Sequence, residues 1–182
     1  MPVWEIRAGA LNDHATLVPV DDRDVRDRKF VADGSDKDWM SRPLAEFHSK
    51  KRGKKAQEPA NVSSFYPGVL VLDAKARAAL GGFLSRFGQL LELDCPGGFR
   101  YYFNCTNVID CVDVVGSSKD EDGNLILEAF DESKVPSEPA VFKDLHTVKV
   151  RIYVNDAAKS LIEEWAAEAG ICGLEIVQPD PI

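Results

Sequence analysis

The last third of the chain carries apolar residues at helical spacing between two strand-like segments. Asn155 or Asp156 stands at the position of a helix N-cap, and Gly170 follows the apolar stripe. A side-chain acceptor before a helix and a glycine after it are common helix boundaries, so the pattern predicts a helix over 156–169. The flanking predicted strands are 148–154 and 173–177. A helix of this length lets the chain cross over and return parallel to its first strand, which requires a fold that packs helices on a sheet.

A second helix is predicted over 74–87. Residues 69–72 form a continuous apolar run typical of a buried strand, and Asp73 follows as the expected N-cap. Apolar residues then recur at steps of three and four positions until Gly88, which we expect to end the helix. One face of this helix therefore packs on a sheet.

Apolar runs separated by turn residues predict the remaining strands, which are 90–93, 99–104, 108–115, 125–130 and 141–142. Turns rich in Gly, Pro and Ser join successive antiparallel strands, so we expect a mainly antiparallel sheet. The predicted fold class is α+β, with this sheet packed by the two main helices. The predicted core consists of Leu70, Leu72, Leu80, Phe83, Leu84, Leu91, Tyr102, Val114, Ile126, Val150, Ile152, Leu161, Trp165, Leu174 and Ile176.

The first third of the chain is less regular. The apolar residues of 3–7 and 15–20 predict two short strands, which we expect to pair as a hairpin at a sheet edge. Charged side chains dominate 21–64, which predicts a partly irregular N-terminal extension with one short helix after Pro43. The 182 residues fit a single α+β domain, 1–182, in which 65–178 forms the regular core.

The chain is acidic, with a net charge of −8 and a pI near 4.9. Such a charge favours cationic partners and opposes binding to nucleic acid. The contrary signal is the basic loop 50–55, whose five positive charges leave nucleic-acid binding as an alternative function.

No apolar run approaches the ~20 residues of a membrane span, and residues 1–10 lack the apolar core of a signal peptide. We therefore expect a cytoplasmic protein without membrane contact. Four cysteines are too few for a disulfide scaffold, so we expect reduced, buried thiols. They are Cys95, Cys105, Cys111 and Cys172.

The sequence supplies no recognisable catalytic or metal-binding set. His14, His48 and His146 occur singly, and the cysteine spacing does not match a zinc site. Asp110 and Asp113 are three positions apart in a predicted strand, where odd offsets point to opposite faces, so we expect a structural acceptor and a turn residue. We predict no cofactor, no metal and no enzymatic activity, and an uncharacterised enzyme remains an alternative.

The region 65–178 resembles a known bacterial family. Asn104 at the end of a strand, the stretch from Val108 through Asp110 to Asp113, and Phe142 match its motifs, as do 152–176 with Gly170 and Gly173 in place. These features resemble the eleventh type of immunity protein found beside polymorphic toxins. The sequence departs from that family around Trp165 and in the N-terminal third. Because the shared motifs are apolar and structural, the resemblance implies a fold and a genomic role rather than a site.

The resemblance implies a cytoplasmic protein that binds and silences a toxin delivered by kin cells, for example in contact-dependent competition or type VI secretion. The acidic composition is consistent with that role. A toxin that acts on nucleic acid carries a basic cleft, which an acidic inhibitor would complement.

Two acidic clusters are the candidate partner-binding residues. They are Asp120, Glu121 and Asp122 in a Gly- and Ser-rich loop, and Asp131 and Glu132 after the next predicted strand. If the strands pair as a hairpin, the clusters lie at its opposite ends, so one of them dominates a compact interface. We favour the 120–122 loop for binding, because its carboxylates have no evident structural task and a flexible tip can enter a basic cleft. The alternative is a solvated turn.

Overall fold

The computed structural model describes residues 2–9, 13–49, 51–52 and 55–181, with the backbone alone at 51, 52 and 55. In chain order the elements are β1 (Val3–Ala8), β2 (Thr16–Pro19), α1 (Asp22–Arg26), β3 (Ala45–His48), β4 (Lys51–Arg52), β5 (Lys55–Ala56), β6 (Val62–Ser63), β7 (Leu70–Leu72), α2 (Ala74–Leu84), β8 (Gly88–Cys95), β9 (Gly98–Cys105), β10 (Val108–Ile109), β11 (Ser118–Lys119), β12 (Leu125–Leu127), β13 (Val141–Asp144), β14 (Tyr153–Asn155), α3 (Asp156–Ala169) and β15 (Leu174–Val177).

Two sheets form the frame of the fold. The first has the strand order β10-β13-β14-β1-β15, and the second has the order β6-β7-β9-β8. All neighbouring strands in these sheets are antiparallel except β10 and β13. Three two-stranded ribbons pair β2 with β3, β4 with β5, and β11 with β12. The predicted α+β class with a mainly antiparallel sheet is confirmed.

Both main helices begin at the predicted caps. The Asp73 carboxylate accepts a hydrogen bond from the Ala76 N–H at 2.8 Å, and the Asn155 side chain accepts one from the Ala158 N–H at 3.0 Å. Helix α3 ends at Gly170, whose φ of 60° is the left-handed conformation that glycine adopts readily. The crossover is also confirmed in direction, since β14 and β15 both pair antiparallel with β1 and hence run parallel to each other.

Helix α2 ends at Leu84, three residues before the predicted end. Gly88 is the first residue of β8 rather than the helix stop. A Cβ there would overlap the Asn104 carbonyl oxygen, so this glycine permits close approach of β8 to β9.

The largest buried cluster lies between the two sheets and their helices. It contains Leu70 and Leu72 of the second sheet, Ile152 and Val154 from the first sheet's side, and Leu80 and Ile162 from the helices. Because α2 and α3 both contribute to this cluster, they pack in one layer against the inner faces of both sheets.

The N-terminal segment covers the outer face of the second sheet. Leu17, Phe30 and Ala45 are buried against Tyr102 and Val71 in a separate apolar cluster. The segment 21–64 is therefore mostly irregular in secondary structure but contributes buried side chains to the fold.

Two expectations for the first third of the chain are wrong, and one element there was missed. β1 lies inside the first sheet, between β14 and β15, and β2 pairs with β3, so the predicted edge hairpin does not form. The predicted helix after Pro43 is strand β3, because the chain must extend to pair with β2 and bury Ala45. The short helix α1, capped by Asp21, was not predicted.

The excursion, residues 110–140, covers the outer face of the first sheet. Cys111, Val135 and Ala140 are buried there against Phe142 and Tyr153. Of the predicted strand 108–115 only β10 forms, and it pairs parallel with β13. Of 148–154 only the last two residues belong to β14, because the chain turns through 145–150 before entering the sheet.

The predicted core is confirmed in its interior and wrong at its periphery. Leu70, Leu72, Leu80, Phe83, Leu84, Tyr102 and Ile152 are buried. Leu91, Trp165, Leu174 and Ile176 are half-buried and pack against the buried clusters, so their assignment to the core is also confirmed. Val114, Ile126 and Leu161 are half-buried and belong to none of the described clusters. Val150 is exposed, because the turn places it at the surface. In the described part of the chain, no helix is long and apolar enough to cross a membrane.

Candidate functional site

The excursion forms an open cleft of about 690 Å³ at the surface of the molecule. Four of its lining residues are acidic: Asp110, Asp113, Asp131 and Glu132. Lys134 and His146 also line it, so acidic side chains outnumber basic ones. The cleft is thus suited to a positively charged group.

A buried carboxylate fixes the position of this cleft. Asp144 is fully buried at the end of β13, and one of its oxygens accepts the N–H groups of Cys111 and Val112 at 2.8 and 2.9 Å. Its other oxygen accepts the His146 N–H at 2.8 Å. Charge-assisted bonds of this kind are stronger than neutral ones, so Asp144 ties together the two segments that form the cleft walls.

Two of the cleft carboxylates also cap turns. Asp113 accepts the N–H groups of Val115 and Gly116 at 3.0 and 3.1 Å, which confirms the predicted turn residue. Asp131 accepts the Ser133 hydroxyl at 2.7 Å and the Ser133 N–H at 3.1 Å. These hydrogen bonds from Ser133 hold the pKa of Asp131 below its ordinary value, so this carboxylate is negative at neutral pH.

Asp110 is half-exposed and lies between two basic side chains. Its carboxylate is 3.5 Å from the Lys134 ammonium and 3.8 Å from His146 Nε2. Such exposed pairs contribute little to stability, so they leave Asp110 available to exchange partners. Asp110 thus forms surface ion pairs, and the prediction that it is a structural hydrogen-bond acceptor is wrong.

Exposed apolar side chains adjoin the acidic cleft. Val115 is 94% exposed and Leu145 is 59% exposed, and each neighbours a residue that lines the cleft. A second cleft of about 400 Å³ shares Val114 and His146 with the first and is lined by Val150. The two clefts and these apolar residues form one continuous surface, which we call the excursion surface.

The structure separates the two predicted acidic clusters. Asp131 and Glu132 line the acidic cleft, whereas residues 120–122 lie at the tip of the β11–β12 ribbon, at its other end. Gly123 and Asn124, next to that tip, line the second cleft. Both clusters thus adjoin the excursion surface without meeting.

One premise of the loop prediction is wrong, because Asp120 does have a structural task. One of its oxygens accepts the N–H groups of Asp122 and Asn124 at 3.0 and 2.8 Å, and the other accepts the Asn124 side-chain amide at 2.9 Å. The hydrogen bonds from Asn124 lower the pKa of Asp120. Asp120 thus closes the turn, whereas Glu121 and Asp122 point to solvent.

The cleft does not assemble a nucleophile and a base. His146 and Asp110 are separated by more than hydrogen-bond distance, and no serine, threonine or cysteine is among the described residues that line it. Across the described ranges, no three His, Cys, Asp or Glu side chains are arranged to hold a metal ion. The chemistry of the excursion surface is therefore suited to binding cationic and apolar side chains.

The four thiols are free and differ in accessibility. Cys105 and Cys111 are buried, Cys95 is half-buried, and Cys172 is exposed, so the expectation of buried thiols is wrong for Cys172. Burial raises the pKa of Cys95 and Cys105 to about 11 and that of Cys111 to about 12. A thiol that stays protonated at neutral pH is a poor nucleophile.

We expect a thiol reagent such as Ellman's reagent at pH 8 to modify the exposed Cys172 rapidly in the native protein. The other three should react at least about a hundredfold more slowly, because they are shielded and protonated. The variant Cys172→Ser should lose the fast phase, and unfolding in urea should make every remaining thiol reactive. A second fast thiol in Cys172→Ser would contradict the placement of Cys95.

The basic loop 50–55 lies largely outside the described residues. β4 and β5 pair antiparallel there, but residues 50, 53 and 54 are not described and the side chains of 51, 52 and 55 are not either. The nucleic-acid alternative therefore gains no structural support.

Comparison with models of known protein families and with curated proteins finds no match to this chain.

Sequence reasoning located Asp131 and Glu132 by their charge but did not find the rest of the surface. Val115 and Val150 lay within predicted strands. Nothing in the sequence indicated that Asp144 is buried or that Leu145 is exposed. The turn residues Gly116 and Ser117, directly after Val115, were the available sign that the strand ends early.

Proposed function

We propose that this protein is an immunity protein that binds a secreted bacterial toxin and neutralises it by direct contact through the excursion surface. The observation that carries the proposal is the combination of an acidic cleft with exposed apolar side chains on one continuous surface. Protein interfaces typically place apolar contacts beside polar and charged ones. A toxin with basic and apolar side chains around its active site is the matching partner.

Charge gives this surface a role in the rate and specificity of binding. Asp110 and Asp131 present negative charge at an open cleft, which accelerates encounter with a basic partner and disfavours acidic ones. The apolar side chains of Val115 and Leu145 supply area that becomes buried in the complex. Charge and apolar area together account for fast and tight inhibition.

The resemblance of 65–178 to immunity proteins supports a toxin as the partner, rather than some other basic protein. A cytoplasmic location belongs to the same proposal, because an immunity protein meets the toxin inside the cell that it protects. The proposal includes no enzymatic step and no cofactor.

The genetic test is co-expression with the C-terminal domain encoded by the neighbouring gene, if that gene encodes a large secreted protein. Cells that produce this domain should survive when they also produce the protein, and the two should copurify. Survival without a complex would point instead to an enzyme that removes the toxin's product. Unchanged killing would refute the proposal.

The contribution of the cleft can be measured with the triple variant Asp110→Asn, Asp131→Asn and Glu132→Gln. Asparagine at 131 retains an acceptor for the Ser133 N–H, so the turn should persist while the charge is lost. We expect association with the toxin domain to slow at least about tenfold at low ionic strength, with a flatter dependence on salt. Surface plasmon resonance at several salt concentrations measures both effects.

The matched control is Asp120→Asn, Glu121→Gln and Asp122→Asn, which removes the same charge from the other end of the ribbon. We expect its association rate to change less than about threefold. A larger effect of this loop triple than of the cleft triple would restore the 120–122 loop as the main binding element. If both triple variants slowed association equally, the overall charge of the protein, rather than either cluster, would attract the toxin.

A further inference from the structure

A third, smaller depression, which we call the groove, lies beside helix α1 and shares no lining residue with the two clefts. Its volume is about 250 Å³, and its lining is mostly apolar. The lining residues are Val25, Arg28, Phe30, Val31, Ala32, Tyr66, Pro67 and Lys149. An apolar cavity of ~150 Å³ holds a benzene ring, so this groove has room for an apolar body of about two rings.

The floor of the groove is built from packed aromatic rings. Phe30 is buried, and its ring stacks on Tyr66 with a centroid separation of 5.6 Å and an interplanar angle of 17°. Phe65 and Trp39 meet Phe30 edge to face at 4.9 and 5.9 Å. Rings held from several sides in this way form a preformed surface, which reduces the entropy lost when a ligand binds.

A buried positive charge lies directly behind this floor. Lys143 is fully buried, and its ammonium group donates hydrogen bonds to the carbonyl oxygens of Ala32, Gly68 and Val148 at 3.3, 2.8 and 2.7 Å. Within the described residues no carboxylate forms an ion pair with it. Ala32 lines the groove and Gly68 follows Pro67, so the charge is close to the floor.

The rim adds two further cations. Arg28 and Lys149 line the groove, and neither makes an ion pair within the ranges that the structure describes. Asp27 precedes Arg28 at the C-cap of α1 but is not among the residues that line the groove, whereas Asp24 lies 2.6 Å from Lys29 and Asp33 lies 3.0 Å from Lys37. None of the described lining residues is acidic.

Three cations around an apolar groove are unexpected in a chain with a net charge of −8. A low-dielectric floor with positive charge behind it attracts an anion more strongly than an exposed lysine does. We propose that the groove is a binding site for a small amphiphilic anion, with an apolar body of one or two rings or a short alkyl chain and a single negative group. The apolar body packs on Phe30 and Tyr66, and the negative group faces Arg28 and Lys149.

The test uses the native full-length chain and the anionic dye 8-anilinonaphthalene-1-sulfonate, with decanoate as a competitor. We expect saturable fluorescence enhancement with one dye bound per chain, and displacement by decanoate. The uncharged relative N-phenyl-1-naphthylamine should bind at least about fivefold more weakly, because it lacks the group that faces the cations. Enhancement that does not saturate, or equal binding of the two dyes, would overturn the proposal.

Two variants locate the site, and one serves as a control. Arg28→Gln should weaken dye binding at least about fivefold, because it removes a cation that faces the sulfonate. Val31→Glu should abolish binding, because its carboxylate would repel the negatively charged dye from the groove. Arg26→Gln removes a cation two residues earlier, at the end of α1 and outside the residues that line the groove, and should leave binding unchanged. Circular dichroism shows which variants are folded. Equal weakening by Arg28→Gln and Arg26→Gln would show that net charge, not the groove, controls binding and would refute the proposal.

Discussion

Replacing Arg151 with alanine is expected to lower the free energy of unfolding by about 4 kcal/mol. Arg151 is buried, and its guanidinium lies 2.6 Å from a Glu5 carboxylate oxygen and 3.1 Å from one of Glu128. The second contact is an ion pair without an aligned hydrogen bond, and Glu128 Oε2 has no hydrogen-bond partner. Removing the arginine would leave two buried carboxylates facing each other, which is far more costly than losing one exposed pair.

The electrostatics of Glu5 support this expectation. Burial raises the pKa of Glu5 even though Arg151 and Arg7 act to lower it. Without Arg151 only Arg7, at 3.9 Å, offsets the burial of Glu5, so the double variant Arg151→Ala, Glu5→Gln should recover part of the lost stability.

Urea unfolding followed by circular dichroism measures these differences. The control is Arg42→Ala, which removes an exposed arginine that pairs with Glu92 at 2.7 Å and should cost less than about 1 kcal/mol. Equal losses in Arg42→Ala and Arg151→Ala would show that the buried network contributes no more than a surface pair.

Lys143→Met is expected to destabilise the protein by about 2 kcal/mol at pH 7, because the carbonyl oxygens that the ammonium group satisfies become unpaired. The deficit should grow with pH. Burial lowers the pKa of Lys143 from 10.5 to about 8, so between these values the unfolded chain binds more protons than the folded one. Wild type therefore gains stability as the pH rises through this window, by about 3 kcal/mol, and the methionine variant lacks that gain.

The measurement is the difference in unfolding free energy between wild type and Lys143→Met at several values from pH 7 to 10.5. Because Cys105 interacts electrostatically with Lys143, both proteins carry Cys105→Ala, and the contributions of Cys95 and Cys111 then largely cancel in the difference. Lys149→Met, at an exposed position, should show no pH-dependent difference from wild type. A constant deficit across the range would mean that Lys143 titrates normally in the folded state.

The elements that sequence reasoning predicted well depend on local interactions. Asp73 and Asn155 cap helices through hydrogen bonds to residues three positions away, and β8 and β9 join through a two-residue turn. The errors concern long-range pairing. The pattern of residues 3–7 indicates a strand, but only tertiary packing places β1 between β14 and β15.

The candidate surface was predictable only in its charges. Asp131 and Glu132 are conspicuous because acidic residues are expected at the surface. For Val115 the sign was the pair Gly116 and Ser117, whereas Leu145 gave none, because an apolar residue near a strand is ordinarily assigned to the core. Val115 is exposed because Asp144 anchors the 110–112 segment by its backbone and the chain then turns at Asp113.

The position of β1 determines when this protein can fold during its synthesis. Val3 pairs with Asn155 and Ile6 pairs with Ile176, so the ribosome makes β1 long before the two strands that flank it. Completion of the first sheet must therefore wait until β15 has left the ribosomal tunnel, whereas the β8–β9 hairpin and α2 can form earlier. Pairing over such sequence distances slows folding. Until then the apolar face of β1 is exposed in the nascent chain, and a chaperone that recognises extended apolar segments would bind there first.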